Sequence, residues 1–89
     1  MNMATAIQLG VSNRKDFGSG NVSGTTYSSW HQVHKGRLQK DDYVAPNENE
    51  RVYVIASYGT PIAWYTETGG WFKVQRRFSH STTIHQNLI

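Results

Sequence analysis

Arg51-Val52-Tyr53-Val54-Ile55-Ala56-Ser57-Tyr58-Gly59-Thr60-Pro61-Ile62-Ala63-Trp64-Tyr65-Thr66 is the stretch from which the fold is read. Its first half is almost purely β-branched and aromatic, the composition of a strand. Gly59 and Thr60 supply turn chemistry, and Ile62 to Thr66 returns as the second arm of a hairpin. A tight two-residue turn would close through the N–H of Pro61, which proline lacks. The sequence therefore predicts an open loop from Tyr58 to Pro61, with Ser57 paired to Ile62. A second turn at Glu67 to Gly70, where two adjacent glycines can take positive φ, leads into Trp71-Phe72-Lys73-Val74 as a third antiparallel strand. This register sets Val52, Val54, Ala56, Ala63 and Tyr65 on one face, and Tyr53, Ile55, Ile62 and Trp64 on the other. Both faces are apolar, so each needs a cover from the C-terminal end or from the segment before residue 50. A homo-oligomer is expected if either cover is inadequate, because large exposed apolar patches are rare on monomers.

Outward from the hairpin the signals are weaker. Ile7, Leu9 and Val11 alternate, which predicts a first strand within Ala4 to Val11. Residues 12–26 are rich in Gly, Ser and Asn and read as a loop. Between Tyr27 and Leu38, Trp30, Val33 and His34 stand at helical spacing while Tyr27, Ser29, His31 and Val33 alternate; a strand or irregular segment is expected. Residues 41–50 carry four acids and Pro46, an exposed connection facing the basic Lys35, Arg37 and Lys40. At the far end Ile84 and Leu88 are four apart, and Thr83 with Gln86 fits a capping box, which predicts a short amphipathic helix docked on the sheet. The expected fold is thus of the α+β class. It is a small antiparallel β-meander of four to five strands with a short C-terminal helix, in a single domain of residues 1–89.

Composition narrows the setting. With no cysteine among its 89 residues, the chain has neither a disulfide framework nor a thiolate metal site, which fits a reducing compartment. The start lacks a positive segment followed by an apolar one, and no run approaches the roughly 20 apolar residues that span a bilayer. A cytoplasmic location is expected, with no membrane partner. The net charge of +3 favours anionic partners through a field that salt largely screens. Three tryptophans and five tyrosines can serve either a small core or a binding face.

One group of residues suggests a ligand site. Lys73, Arg76, Arg77 and His80 precede the expected C-terminal helix, whose first turn presents unpaired N–H groups and partial positive charge. Ser81, Thr82 and Thr83 add hydroxyl donors, and His85 and Gln86 follow, so a phosphate or carboxylate could be held there. The competing reading is that the threonines only cap the helix and the arginines line a solvated strand edge. An interaction surface is expected at Tyr58, Thr60, Trp64 and Trp71. His31 with His34, or His80 with His85, could share a metal ion, but neither pair has the third or fourth ligand a zinc site needs, so no metal is expected. No local motif joins a nucleophile to a base and an orienting acid, and Asp41 and Asp42 adjoin in a polar loop, so the chain is expected not to be an enzyme and no cofactor is expected. Trp64, Tyr65, Trp71, Phe72, Lys73, Arg76 and Arg77 keep a second class open: a single-stranded nucleic-acid binder that stacks bases on sheet aromatics.

From Tyr53 to Trp64 and again from Ser79 to Gln86, the chain resembles an uncharacterised domain family of small tailed-phage proteins. That family pairs a Tyr-Gly-Thr-Pro-Ile-Ala hairpin with a C-terminal Tyr-Ser-x-Thr-Thr-x-x-His-Gln signature. Here Phe78 stands for the tyrosine, Ser81 for the first threonine and Ile84 for a usual basic residue, while Thr82, His85 and Gln86 match. Phe17, Asn21 and Gly24 resemble the family's N-terminal pattern more loosely. The resemblance implies a phage origin and no established activity. By context it suggests an accessory protein that binds and inactivates a host factor, either a host defence protein or an anionic defence-signalling nucleotide.

Overall fold

Five strands form one antiparallel sheet in the order β1-β2-β3-β4-β5, in a computed structural model that describes residues 3–39, 41, 43–74, 86 and 89. The strands are β1 (Phe17–Ser19), β2 (Val22–Tyr27), β3 (Val52–Ser57), β4 (Thr60–Thr66) and β5 (Gly70–Lys73). A helix, α1 (Met3–Asn13), precedes them, and a 3-10 turn at Trp30–Gln32 follows β2. The third strand and its hairpin lie where the β-branched run places them, and β5 follows the Glu67 to Gly70 turn.

The class differs from the expectation. The protein is mostly β, and its helix lies at the N-terminus; no C-terminal helix is among the described elements. The stretch expected to form that helix, residues 83–89, lies outside the described residues except for Gln86 and Ile89. The segment read as a first strand, Ala4 to Val11, is helical instead. Alternation of Ile7, Leu9 and Val11 imitates a strand, but the spacing that matters is Ile7 to Gly10 and Val11, three and four residues apart on one helix face. Ile7 is fully buried and Gly10 is buried, whereas Leu9 is 46% exposed.

Residues 12–26, expected as loop, contain β1 and most of β2. Their glycines are packing residues as well as turn residues. A Cβ on Gly24 would overlap the Tyr53 hydroxyl and the Phe17 ring, and one on Gly10 would overlap the same ring. The Phe17 ring thus lies between helix and sheet where neither side can carry a methyl group. Between Tyr27 and Leu38 the strand ends and the 3-10 turn sets Trp30 and Val33 into the core.

The central turn is tighter than expected. Ser57 pairs with Thr60, so Tyr58 and Gly59 are the two turn residues, both with positive φ (52 and 77), the twist that suits a two-residue hairpin. Pro61 sits opposite Ala56, beside a register shift and before the part of β4 that β5 reaches, Ala63 to Thr66; its missing N–H is tolerated there. Ile62 is the extra residue of this bulge, and beyond it Val54 faces Trp64 and Tyr53 faces Tyr65. Beyond the bulge the register is one residue away from the expected one, which moves Ala63, Trp64 and Tyr65 to the opposite faces while Ile62 stays with Tyr53 and Ile55.

Two cores result. On one face Val52, Val54, Trp64 and Val74 pack with Trp30 and Val33, flanked by Leu38, Tyr43 and Phe72. Trp64 lies 4.6 Å from Trp30 and stacks on Phe72 at 5.0 Å. On the other face Tyr53, Ile55, Ile62 and Val22 pack with Ile7 of α1, flanked by Val11, Phe17, Tyr65, Trp71 and Ile89. Each face therefore has a cover from the segment before residue 50, and what the sequence did not disclose is that one of the two, α1, is a helix.

Gly24→Ala is expected to cost about 1–3 kcal/mol by overpacking. Gly18→Ala, where an added Cβ meets nothing within 4 Å, should stay within about 0.5 kcal/mol of the parent. Urea denaturation of both variants checks the pair, and equal midpoints would refute the close approach at Gly24.

Candidate functional site

The β2–β3–β4 ladder ends beside the C-terminus of α1, and an open groove of about 240 Å³ forms there. Arg14, Thr26, Arg51, Tyr53, Tyr65 and Glu67 line it. Arg14 follows the last residue of α1 with φ 49, and the N–H of Lys15 donates to the Gly10 carbonyl at 3.1 Å, the six-to-one bond of a left-handed helix stop. Arg51 immediately precedes β3. Tyr53 and Tyr65 are direct cross-strand partners.

The aromatic wall is held by polar clips. The Tyr53 hydroxyl donates to the Lys15 carbonyl at 2.7 Å. Burial, reinforced by the negative charge of Asp16, pushes the Tyr53 phenol up to about 12. Asp16 Oδ1 accepts both the N–H and the hydroxyl of Thr26, each at 2.8 Å. Next to the lining residues Arg51 and Glu67 in the chain, the Glu50 carboxylate accepts the N–H and the hydroxyl of Thr68, at 2.8 and 2.5 Å. Those bonds hold its pKa below the ordinary carboxylate value. The Arg14 guanidinium lies 4.6 Å over the Tyr65 ring, and Tyr65 in turn meets Trp71 at 5.5 Å. Two guanidinium groups and a tyrosine ring make a surface suited to an anion joined to something flat, with the Glu67 carboxylate opposing the anion at the margin.

The site expected from sequence lies mostly outside the described residues. Arg76, Arg77, His80, Ser81, Thr82, Thr83 and His85 lie outside the described residues. Lys73 ends β5 and is exposed. Gln86 ties strands together: its Nε2 donates to the Ile62 carbonyl at 3.1 Å and the Val74 carbonyl at 2.9 Å.

The four residues expected to form an interaction surface do not share one patch. Tyr58 is 57% exposed at the hairpin tip, Thr60 is buried, and Trp64 is a core residue only 2% exposed. Thr60 Oγ1 accepts the Arg37 N–H at 3.1 Å. Trp71 is half-buried on the face opposite Trp64. His31 pairs with Glu48 at 3.0 Å, and no group of three metal-ligating side chains occurs among the described residues. Lys35, expected to face the acidic connection, donates to the Trp30 and Val33 carbonyls. Burial lowers its pKa against the opposing pull of Glu48.

Arg14, Arg51, Tyr53 and Tyr65 do not stand out in the sequence as a group. The signal for the tyrosines is the hairpin register, since placing them opposite one another needs the turn at Tyr58-Gly59. Arg14 is the residue just past the last turn of α1, with φ 49, a place visible only once the segment is read with a helical period.

The family model of DUF8033, a family of unknown function, matches residues 6–89. The chain belongs to this family. No curated protein and no solved structure matches it. The DUF8033 match runs from within α1 through all five strands, so it takes in every element that lines the groove. No helix among the described residues is long and apolar enough to cross a membrane.

Tyr53 gives this site a pH signature. Its folded-state pKa lies above its ordinary value of 10.0, so its contribution to stability is complete below about pH 10 and is lost as pH rises through about 12. Tyr53→Phe should lose about 1 kcal/mol at neutral pH, from the hydrogen bond, and should lose less than the parent across that alkaline window. Urea midpoints measured over a pH series check the difference; parallel curves would contradict it.

Proposed function

We propose that this DUF8033 protein is a non-enzymatic accessory protein of a tailed phage that binds and inactivates a host factor, and that the factor is an anionic nucleotide used in defence signalling. The observation that carries the reading is the groove at the end of α1, where Arg14 and Arg51 flank the Tyr53–Tyr65 pair. Guanidinium groups are suited to phosphate oxygens through planar paired hydrogen bonds, and they stack on rings as well. A nucleotide presents both a phosphate and a flat base. The phage assignment is supported by the likeness of the Tyr58 to Ala63 hairpin and of Thr82, His85 and Gln86 to the motifs of small tailed-phage proteins.

The nucleic-acid reading has less support. Trp64, one of the aromatics expected to stack bases, is enclosed between Trp30 and Phe72. A stacking platform needs its rings presented to solvent. The groove is also short, which suits a small ligand over a strand threading across the sheet.

Calorimetric titration with a panel of cyclic and linear nucleotides tests the proposal. Saturable, stoichiometric heat with at least one of them is the expected result, in a protein that turns none of them over. Absence of heat across the panel would remove nucleotide sequestration. Binding of single-stranded oligonucleotides with a log-log salt slope near one unit per phosphate neutralised would favour the nucleic-acid reading instead.

A further inference from the structure

Arg14 occupies a backbone conformation that its own side chain does not favour. It is the left-handed residue that ends α1, with φ 49, in a stop closed by the bond from Lys15 N–H to Gly10 O. Glycine is the residue best suited to that position, because an L side chain there crowds the backbone. Among the described residues the other positive-φ positions carry glycine at Gly20, Gly36, Gly59 and Gly70, and a tyrosine at Tyr58 of the hairpin turn. At position 14 a long cationic side chain stands instead, and it reaches 4.6 Å over the Tyr65 ring and lines the groove with Arg51. Local strain carried by a residue whose side chain enters a cleft is a mark of function.

We propose that Arg14 is the anion-contacting residue of a site for a mononucleotide-sized ligand, whose phosphate bridges Arg14 and Arg51 and whose ring lies along Tyr65, the ring that Trp71 touches from outside the groove. This rests on the nucleotide reading above and names the residue that makes it. The groove's volume of about 240 Å³ lies just below the usual range of small-molecule sites, roughly 300–1,000 Å³. One ring with one anionic group matches that size, and a polymer does not. The neighbouring carboxylates of Asp16 and Glu50 are each engaged by a threonine, which leaves Glu67 as the acid lining the groove against two arginines. Arg14 already covers the Tyr65 ring at 4.6 Å, which leaves no room for a ring between them, so a ligand ring lies beside the guanidinium without a new conformation of the helix stop.

The test uses the full chain and three probes: adenosine monophosphate, adenosine and inorganic phosphate. Binding is followed by the nuclear magnetic resonance signals of the Trp71 indole and the Tyr65 ring, and stability by thermal unfolding. The monophosphate should bind roughly tenfold or more tightly than either part alone. Arg14→Gly and Arg14→Ala should both weaken it by roughly tenfold, the loss expected for one charge-assisted contact. Arg14→Lys, which keeps the charge and loses the planar fork, should fall between. The two truncations should differ in stability, with Arg14→Gly melting roughly 4–8 °C above Arg14→Ala.

A merely structural Arg14 would separate the variants in stability and leave binding untouched, and that result overturns the assignment. So does a monophosphate that binds no better than phosphate, or one that moves neither Trp71 nor Tyr65. Tight uptake of a nucleotide from the wider panel that is indifferent to Arg14→Gly would sink this assignment and leave sequestration standing. Weak monophosphate binding that depends on Arg14, with no tight ligand in the panel, would do the reverse.

Discussion

The pairing of Val54 with Trp64 across the central hairpin decides which side chains meet on each face of the sheet. It depends on one extra residue, Ile62, taken up in β4 just after the Tyr58-Gly59 turn. Without that bulge, Trp64 would point toward α1 and Tyr65 toward the segment after β2, and neither cover would find its partner. With it, Trp64 enters the slot between Trp30 and Phe72, and Tyr65 comes to lie opposite Tyr53 under the end of the helix. A strand's side chains alternate, so a slip of a single position exchanges the two cores entirely.

Sheets that are apolar on both sides need two covers, and in a chain this short each must do more than exclude water. The helix cover brings Arg14 over Tyr65 and the irregular cover brings Lys35 over Trp30, at 4.6 and 4.7 Å. Each cation holds the margin of its cover against an aromatic ring, worth about 0.5–1 kcal/mol at an exposed site. The polar atoms this arrangement buries are satisfied: no buried side-chain nitrogen or oxygen among the described residues lacks a hydrogen-bond partner. The groove exists because the helix cover stops short of the sheet's end, leaving the last cross-strand tyrosine pair only partly roofed.

The strands β3, β4 and β5 are legible because their residues carry local information: β-branched and aromatic runs separated by glycine-bearing turns. The helix is not, because Ile7, Leu9 and Val11 satisfy a two-residue period while only Leu9's exposure reveals that the period is wrong. Nor are β1 and β2. Gly18, Ser19, Gly24 and Thr25 have little in common with the β-branched run of β3, and they form strands because β3 supplies a ladder and Phe17 needs the space above Gly24. The register misleads for a narrower reason, since Pro61 reads as the residue that must close the turn, whereas the turn closes one position earlier, at Thr60. The groove depends on all three: it takes a correct helix, a correct β2 and a correct register to bring Arg14, Thr26 and Tyr65 together.

Gln86 donates from its amide nitrogen to two carbonyls, one of them that of Ile62 itself and the other that of Val74, just past β5. The Ile62 carbonyl already accepts the Val74 N–H at 3.0 Å, so the side chain adds a second bond to that rung and caps the next carbonyl where β4 and β5 part. The far end of the sequence is thereby moored to the residue that governs face assignment. Detaching that mooring would loosen the pleat at its most irregular point, so Gln86 acts as a local clasp between the bulge and the end of β5.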